Sequence, residues 1–303
     1  MKFEDSFLNN IDHQFKPKNL MEDDRARQRF LEKKRDVVDK YRPDITSFED
    51  IVPGGASEIK FDLLDLESTK QKIEESNKNI SPEQKALNEV AEIYEGVLVD
   101  QIEANAWFGE HCEMILTSEY DDIKNGIDGV GVFKGGEEKE YLGFGIDVTF
   151  ASNTQVLEKK LNSIKSVIRN NTTPFVKYFE DEEGNKQTSF AVPKVIVGSR
   201  YASAESLIRL WGSSIEGRNK QLQEHPVQSK LIMETLSQLY YFHEFSKQVN
   251  NEEAALAYGK LYNKFVEIFE EKKEVIEGHW PVVLDDIVYQ TIAEFTDMEK
   301  KAS

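Results

Sequence analysis

Between residues 142 and 150 apolar and polar positions alternate. Leu142, Phe144, Ile146, Val148 and Phe150 fall on one side, and Gly143, Gly145, Asp147 and Thr149 on the other. This period of two predicts a strand with one buried face. Nineteen residues before Asp147, the run NGIDGVGVF repeats the Gly-Ile-Asp setting, with Asp128 sharing a face with Val130 and Val132. The glycines and charges of GGEEKE between the two runs predict a hairpin. Each strand therefore carries an aspartate at an apolar surface, and the small glycines beside Asp147 leave room for something to approach that face.

Elsewhere the period changes to that of helices. Ser81, Pro82 and Glu83 supply an N-cap, a first-turn proline and an acidic start for a helix expected to run through about Leu116. Its core stripe reads Leu98, Ile102, Asn105, Gly109, Cys112 and Leu116, which places Glu103 and Glu110 on one flank. After a cap at Ser152 or Asn153, TQVLEKKLNSIKSVIRN predicts a helix with Val156, Leu157, Leu161, Ile164 and Ile168 buried. PFVKYFED and SFAVPKVIVGSR read as strands around the turn EEGN, and from about Ala204 the pattern is helical, with breaks near Gly217, Pro226, Asn250 and Gly278 with Pro281. The stretch EDDRARQRFLEKKRDVVDKYRP is helical but has too few apolar positions to form a core alone. The expected division is a charged N-terminal extension (1–80), an α/β core with a mixed central sheet flanked by helices (81–203), and a helical C-terminal region (204–303).

Composition narrows the class. A chain of 303 residues with 39% apolar residues can bury a full core. Its net charge of −18 argues against a general nucleic-acid binder. The distribution is uneven: residues 81–150 hold 4 basic and 16 acidic groups, whereas residues 151–220 hold 11 basic and 7 acidic ones. Two readings stand, a solvated surface or a cation-binding carboxylate cluster beside a phosphate-binding flank. The single cysteine, Cys112, excludes an intramolecular disulfide and a zinc site of several thiolates. No apolar run is long enough to span a bilayer and MKFEDSFLNN lacks a signal-peptide pattern, so a cytoplasmic protein without a membrane partner is expected.

An ionised carboxylate on a buried strand is costly unless it is paired or coordinated, and a divalent cation removes that cost. Mg²⁺ takes one or two carboxylates together with water and phosphate oxygens, and aspartates on adjacent strands supply the carboxylates. The order of acidic helix, aspartate near a strand start, strand with a second acid, helix and strand, over roughly residues 85–200, resembles the core of the PD-(D/E)XK nuclease superfamily. That resemblance implies a restriction-endonuclease-like fold and Mg²⁺- or Mn²⁺-dependent hydrolysis of DNA. It implies Asp128 and Asp147 as metal ligands and Glu110 as the helix acid, with Glu103 its rival. The superfamily's lysine, two residues past the second acid, is replaced here by Thr149. Lys159, Lys160 and Lys165 on the following helix are the substitutes, and Lys160, between Leu157 and Leu161, is the best placed. Without such a lysine the chain is a catalytically inactive binding or regulatory module on the same fold.

Other residues read more plainly. Asp121 and Asp122 define a turn or add to the metal site, and His111, His225 and His243 lack ligand spacing. Arg200, Lys177 and Lys194 are candidates for meeting a phosphate backbone. The helical C-terminal region is the expected surface for a protein partner or a second copy.

Overall fold

The computed structural model describes residues 19–134, 142–150 and 154–298. The first helices among the described residues are α1 (Asp24–Val37), α2 (Gly55–Asn77) and α3 (Pro82–Ala104). A four-stranded sheet follows, in the order β1 (Cys112–Leu116), β2 (Gly129–Phe133), β3 (Leu142–Phe150) and β6 (Lys194–Ser199), and β4 (Phe175–Glu180) pairs with β5 (Lys186–Ala191) in a separate hairpin. The first three sheet strands are antiparallel, and β6 lies parallel to β3 with Asp147 opposite Ile196. A parallel pair needs a crossover, which α4 (Thr154–Arg169) and the hairpin supply. The architecture is therefore mixed α/β with a helical C-terminal region.

Helix α3 starts as the sequence predicts, with the Ser81 side chain accepting from the Gln84 N–H and Pro82 in the first turn. It ends twelve residues earlier than expected. The backbone turns left-handed at Ala106 (φ 48°) and Gly109 (φ 92°), and Cys112 to Leu116 pair with β2. Cys112 and Leu116 are four apart, a spacing that fits a helix face and also two alternations of a strand, and this is why the stripe continued on paper. Within α4, Leu157, Leu161, Ile164 and Ile168 are buried as expected, whereas Val156 is exposed because it lies a full 100° round from Leu157. The expected caps Ser152 and Asn153 and the turn residues 135–140 lie outside the described residues.

One face of the sheet, carrying Phe144 and Ile146 of β3 with Met114 and Leu116 of β1, belongs to the main core. Helices packed there include α7 (Pro226–Gln248) and α8 (Glu252–Glu271), preceded by α5 (Tyr201–Gly212) and α6 (Arg218–Gln223) and followed by α9 (Lys273–Gly278), α10 (Trp280–Leu284) and α11 (Ile287–Met298). Phe265 of α8 stands edge-on to Phe144 at 5.3 Å and to Phe108 at 5.1 Å. The helices after residue 204 are thus continuous with the sheet's own core. The opposite face carries Val130, Val132 and Ile115, covered by Val176, Phe179 and Val192 from the hairpin region. The open space expected at the glycines is filled from within the chain, since a Cβ on Gly143 would come 3.1 Å from the Phe190 ring.

Residues 19–80 are part of this packing and do not stand off as an extension. Leu20, Ala26 and Val38 enter the main core, and Ile45, Phe48, Val52 and Ile59 pack around Tyr178. Helix α1 buries Arg27 and Lys34 beside Ala26, so long aliphatic stems do the covering that an apolar stripe would otherwise do. Gly96 makes room for one of them: a Cβ there would lie 2.5 Å from Lys34 Cγ. Among the described residues no helix is long and apolar enough to cross a membrane.

Candidate metal centre

Strand register brings the two aspartates together. Gly129 pairs with Ile146, so Asp128, one residue before β2, stands across from Asp147. The Asp128 N–H donates to the Ile146 carbonyl at 2.8 Å, and Asp128 Oδ2 accepts from the Val148 N–H at 2.5 Å. Both carboxyls are buried. They have different company. Asp147 Oδ1 meets Lys160 Nζ at 2.5 Å and its Oδ2 meets Lys194 Nζ at 2.8 Å. Asp128 faces acids: one oxygen from each of Glu95, Asp122 and Asp128 lies within 4.8 Å of the others.

Glu95 comes from the middle of α3, and Asp122 from a single π-helical turn, Asp121–Asn125. That turn is held by its first residue. The buried Asp121 carboxylate accepts from the Lys177 and Tyr178 N–H groups at 2.6 and 3.0 Å, from Ser118 Oγ at 2.7 Å and from Asn125 Nδ2 at 2.6 Å. Its oxygens are spent on fastening the turn to β4, which leaves Asp122 to face the cluster. Gly126 closes the turn at φ 60°, a left-handed conformation that favours glycine, and Lys194 Nζ lies close beside it.

Arg42, in the segment between α1 and α2, completes the outer side. Its Nη1 donates to Asp122 Oδ2 at 3.0 Å and its Nη2 to Glu95 Oε1 at 3.1 Å. Glu95, Asp122 and Arg42 line a cleft of about 510 Å³ that also holds Lys34 and Tyr120.

Glu110 does not belong here. It lies in the exposed loop before β1, beside Lys272, whereas Asp128 sits next to the strand pair's other end, where Leu116 meets Gly129. The expectation rested on a helix that ends before residue 110. Glu103 is on α3 but turns to the β1 edge, where its Oε2 accepts from the Met114 N–H at 3.3 Å. The α3 carboxylate that lies beside Asp128 is Glu95, two turns or more upstream. The end of α3 at Ala104 leaves Glu95, Asp100 and Glu103 as its acids in that half, and of the two sequence readings of Asp122, turn residue or addition to the metal site, the structure places its carboxylate in the cluster. Lys160 lies where expected, on Asp147, and Lys194 joins it there from β6.

The donor set is three carboxylates, which suits a hard divalent cation of the Mg²⁺ or Mn²⁺ kind. Electrostatics agree with the donor chemistry. Burial pushes the Asp128 carboxyl well above its ordinary range, and the charges of Glu95, Asp147 and Asp122 push it further. Burial, followed by the Asp122 charge, raises Glu95 to about 7, with Lys34 and Arg42 opposing. A cation at this point would relieve the mutual repulsion.

These shifts have a sign for stability. A carboxyl with a raised folded-state pKa takes up its proton more readily in the folded protein than in the unfolded chain. The contribution is complete below the ordinary value of 4.5 and is lost as pH climbs through about 7. Buried His225, pushed down to about 3, acts in the opposite direction below its ordinary 6.5. Between about pH 6.5 and pH 8 the acids therefore dominate. In chelator-treated protein the melting temperature falls across that window, and the fall is smaller in Glu95→Gln; an equal slope in the two proteins would remove Glu95 as its source.

No protein-family model, curated protein or solved structure matches this chain.

Proposed function

We propose that the protein is a metal-dependent phosphodiester hydrolase of the PD-(D/E)XK nuclease type, acting on DNA. One observation carries the reading: a buried carboxyl, Asp128, sits between two further carboxylates and the lysine-bearing Asp147. The chain order supports it, with Glu95 on α3, Asp128 at the start of β2 and Asp147 within β3, followed by α4 and the parallel strand β6. This is the order in which the superfamily's acids were expected.

Bound Mg²⁺ or Mn²⁺ would polarise the phosphodiester and activate a water. Glu95, Asp122 and Asp128 are the residues that would hold it, with Asp147 as the adjoining carboxylate. Lys160 sets a positive charge beside Asp147 that Thr149 cannot supply, positioned to stabilise negative charge as it develops on phosphate.

The alternative is a catalytically inactive module on the same fold. It is favoured by the cations already in place, Arg42 on Glu95 and Asp122, and Lys160 with Lys194 on Asp147. Incubation with plasmid and linear DNA distinguishes the two. The hydrolase cuts in Mg²⁺ or Mn²⁺ and stops when a chelator is added. Intact DNA with both metals contradicts the hydrolase and supports the binding module.

A further inference from the structure

Helix α2 is fastened along one side and bare along the other. Its inner side buries Ile59, Asp62 and Leu66. Asp62 pairs with Lys177 Nζ at 2.6 Å and accepts from the Tyr178 hydroxyl, Glu58 meets the same ammonium at 2.7 Å, and Asp65 meets Lys124 of the π-helical turn at 2.6 Å. On the outer side Phe61 is 68% exposed and Leu64 62%. A lone exposed leucine needs no explanation, but a phenylalanine and a leucine three apart on a helix form one surface. Ser57 and Ser68, both exposed, continue the stripe at either end.

The stripe Ser57, Phe61, Leu64, Ser68 has spacings of four, three and four residues, so it reads alike in both directions. A two-fold interface requires such a pattern, because there one patch must complement itself. With the axis passing between Phe61 and Leu64, Phe61 meets the partner's Leu64 and Ser57 meets the partner's Ser68, where small side chains let the two helices approach. Charge follows the same symmetry. Lys60 and Glu67, both exposed, share one flank of the stripe. Like flanks face each other in an antiparallel pair, so Lys60 lies within about 3 Å, along the axis, of the level of the partner's Glu67, and this contact occurs twice. Among the described residues neither Lys60 nor Glu67 has an ion-pair partner; Glu67 accepts from Gln71 Nε2 at 3.2 Å. The acids of the opposite flank, Glu58 and Asp65, are those already neutralised by Lys177 and Lys124.

We propose that the outer face of α2 packs against the same face of a second copy, as an antiparallel two-fold helix pair held in register by Lys60 and Glu67. A net charge of −18 repels two copies over most of their surface, whereas this stripe offers two attractive pairs around an apolar centre. Leu63 and Leu66, on other sides of the same helix, line the cleft of the metal centre, so pairing leaves a cleft on each copy. The proposal does not depend on the hydrolase reading.

Sedimentation velocity of the full chain, from about 1 to 100 µM at about 0.15 M salt, tests it. The wild type is expected to pass from monomer to dimer as concentration rises. Phe61→Ala with Leu64→Ala weakens the dimer about a hundredfold or more, while Leu256→Ala, at a leucine of α8 that is 63% exposed, leaves it unaltered. Glu67→Lys weakens it too, although that change lowers the net negative charge, and adding Lys60→Glu restores it by exchanging the two ends of each pair. Melting curves confirm that every variant is folded. A wild type that stays monomeric across the range, a dimer indifferent to the loss of Phe61 and Leu64, or a double exchange no tighter than Glu67→Lys alone overturns the proposal.

Discussion

Asp128→Asn lowers metal-dependent DNA cleavage by about a thousandfold or more, because several kcal/mol of charge stabilisation depend on the cation and each 1.36 kcal/mol is tenfold in rate. Asparagine keeps the shape and an acceptor for the Val148 N–H, so the strand junction is preserved. What it removes is the charge facing Glu95, Asp122 and Asp147. The same variant is therefore expected to melt at a higher temperature than the wild type in chelator, near pH 8, and to lose the upward shift that Mn²⁺ gives the wild type. Loss of activity together with a gain in metal-free stability separates a ligand from a structural residue, whose substitution lowers both. An Asp128→Asn protein that cuts DNA at the wild-type rate would contradict the site.

Lys230→Met has the largest expected effect on folding. Lys230 Nζ meets Asp286 Oδ2 at 2.8 Å with side chains only 3% and 1% exposed, and it also bonds to Ser199 Oγ. Buried Glu234 lies close enough for Lys230 to pull its carboxyl down against a strong upward push from burial. Removing the ammonium leaves two buried carboxyls without their cation. A broken buried pair costs about 3–5 kcal/mol, a large part of the 5–15 kcal/mol that holds a typical domain together. Asp286 also accepts from the Arg200 and Val288 N–H groups, so the network joins α7, the end of β6 and the start of α11. Urea unfolding measures the loss, and a Lys230→Met, Asp286→Asn pair is expected to cost less than the two changes added. A loss below about 1 kcal/mol would mean that the pair is dispensable.

Strict alternation made β3 legible in the sequence, including which side Asp147 takes, and the helical period of α4 made Lys160 the right lysine to place beside it. Both are local patterns of a single element. The helix acid failed for a local reason as well: Cys112 and Leu116 satisfy a helix and a strand alike, so the break at Ala106 and Gly109 went unread and Glu110 was placed on a helix it never joins. Arg42 was beyond reach, and Asp122 could not be told from Asp121, for different reasons. Arg42 is brought to Glu95 by a segment that packs through the stems of Arg27 and Lys34, a covering that apolar periodicity does not register. Asp122 and its neighbour Asp121 are equivalent on paper. Only the four bonds that fix Asp121 decide which of them turns to the cluster. Lys194, read as a cation for the phosphate backbone, pairs instead with Asp147 because β6 runs parallel beside β3, a pairing between strands distant in sequence.

The central claim is that Glu95, Asp122 and Asp128 together hold a divalent cation, and Mn²⁺ titration followed by electron paramagnetic resonance tests it most directly. The account predicts one site on the wild-type chain, lost in Glu95→Gln and in Asp128→Asn and retained in Glu110→Gln. A wild-type protein that leaves all the Mn²⁺ free in solution, or one whose site survives the loss of Asp128, would contradict it.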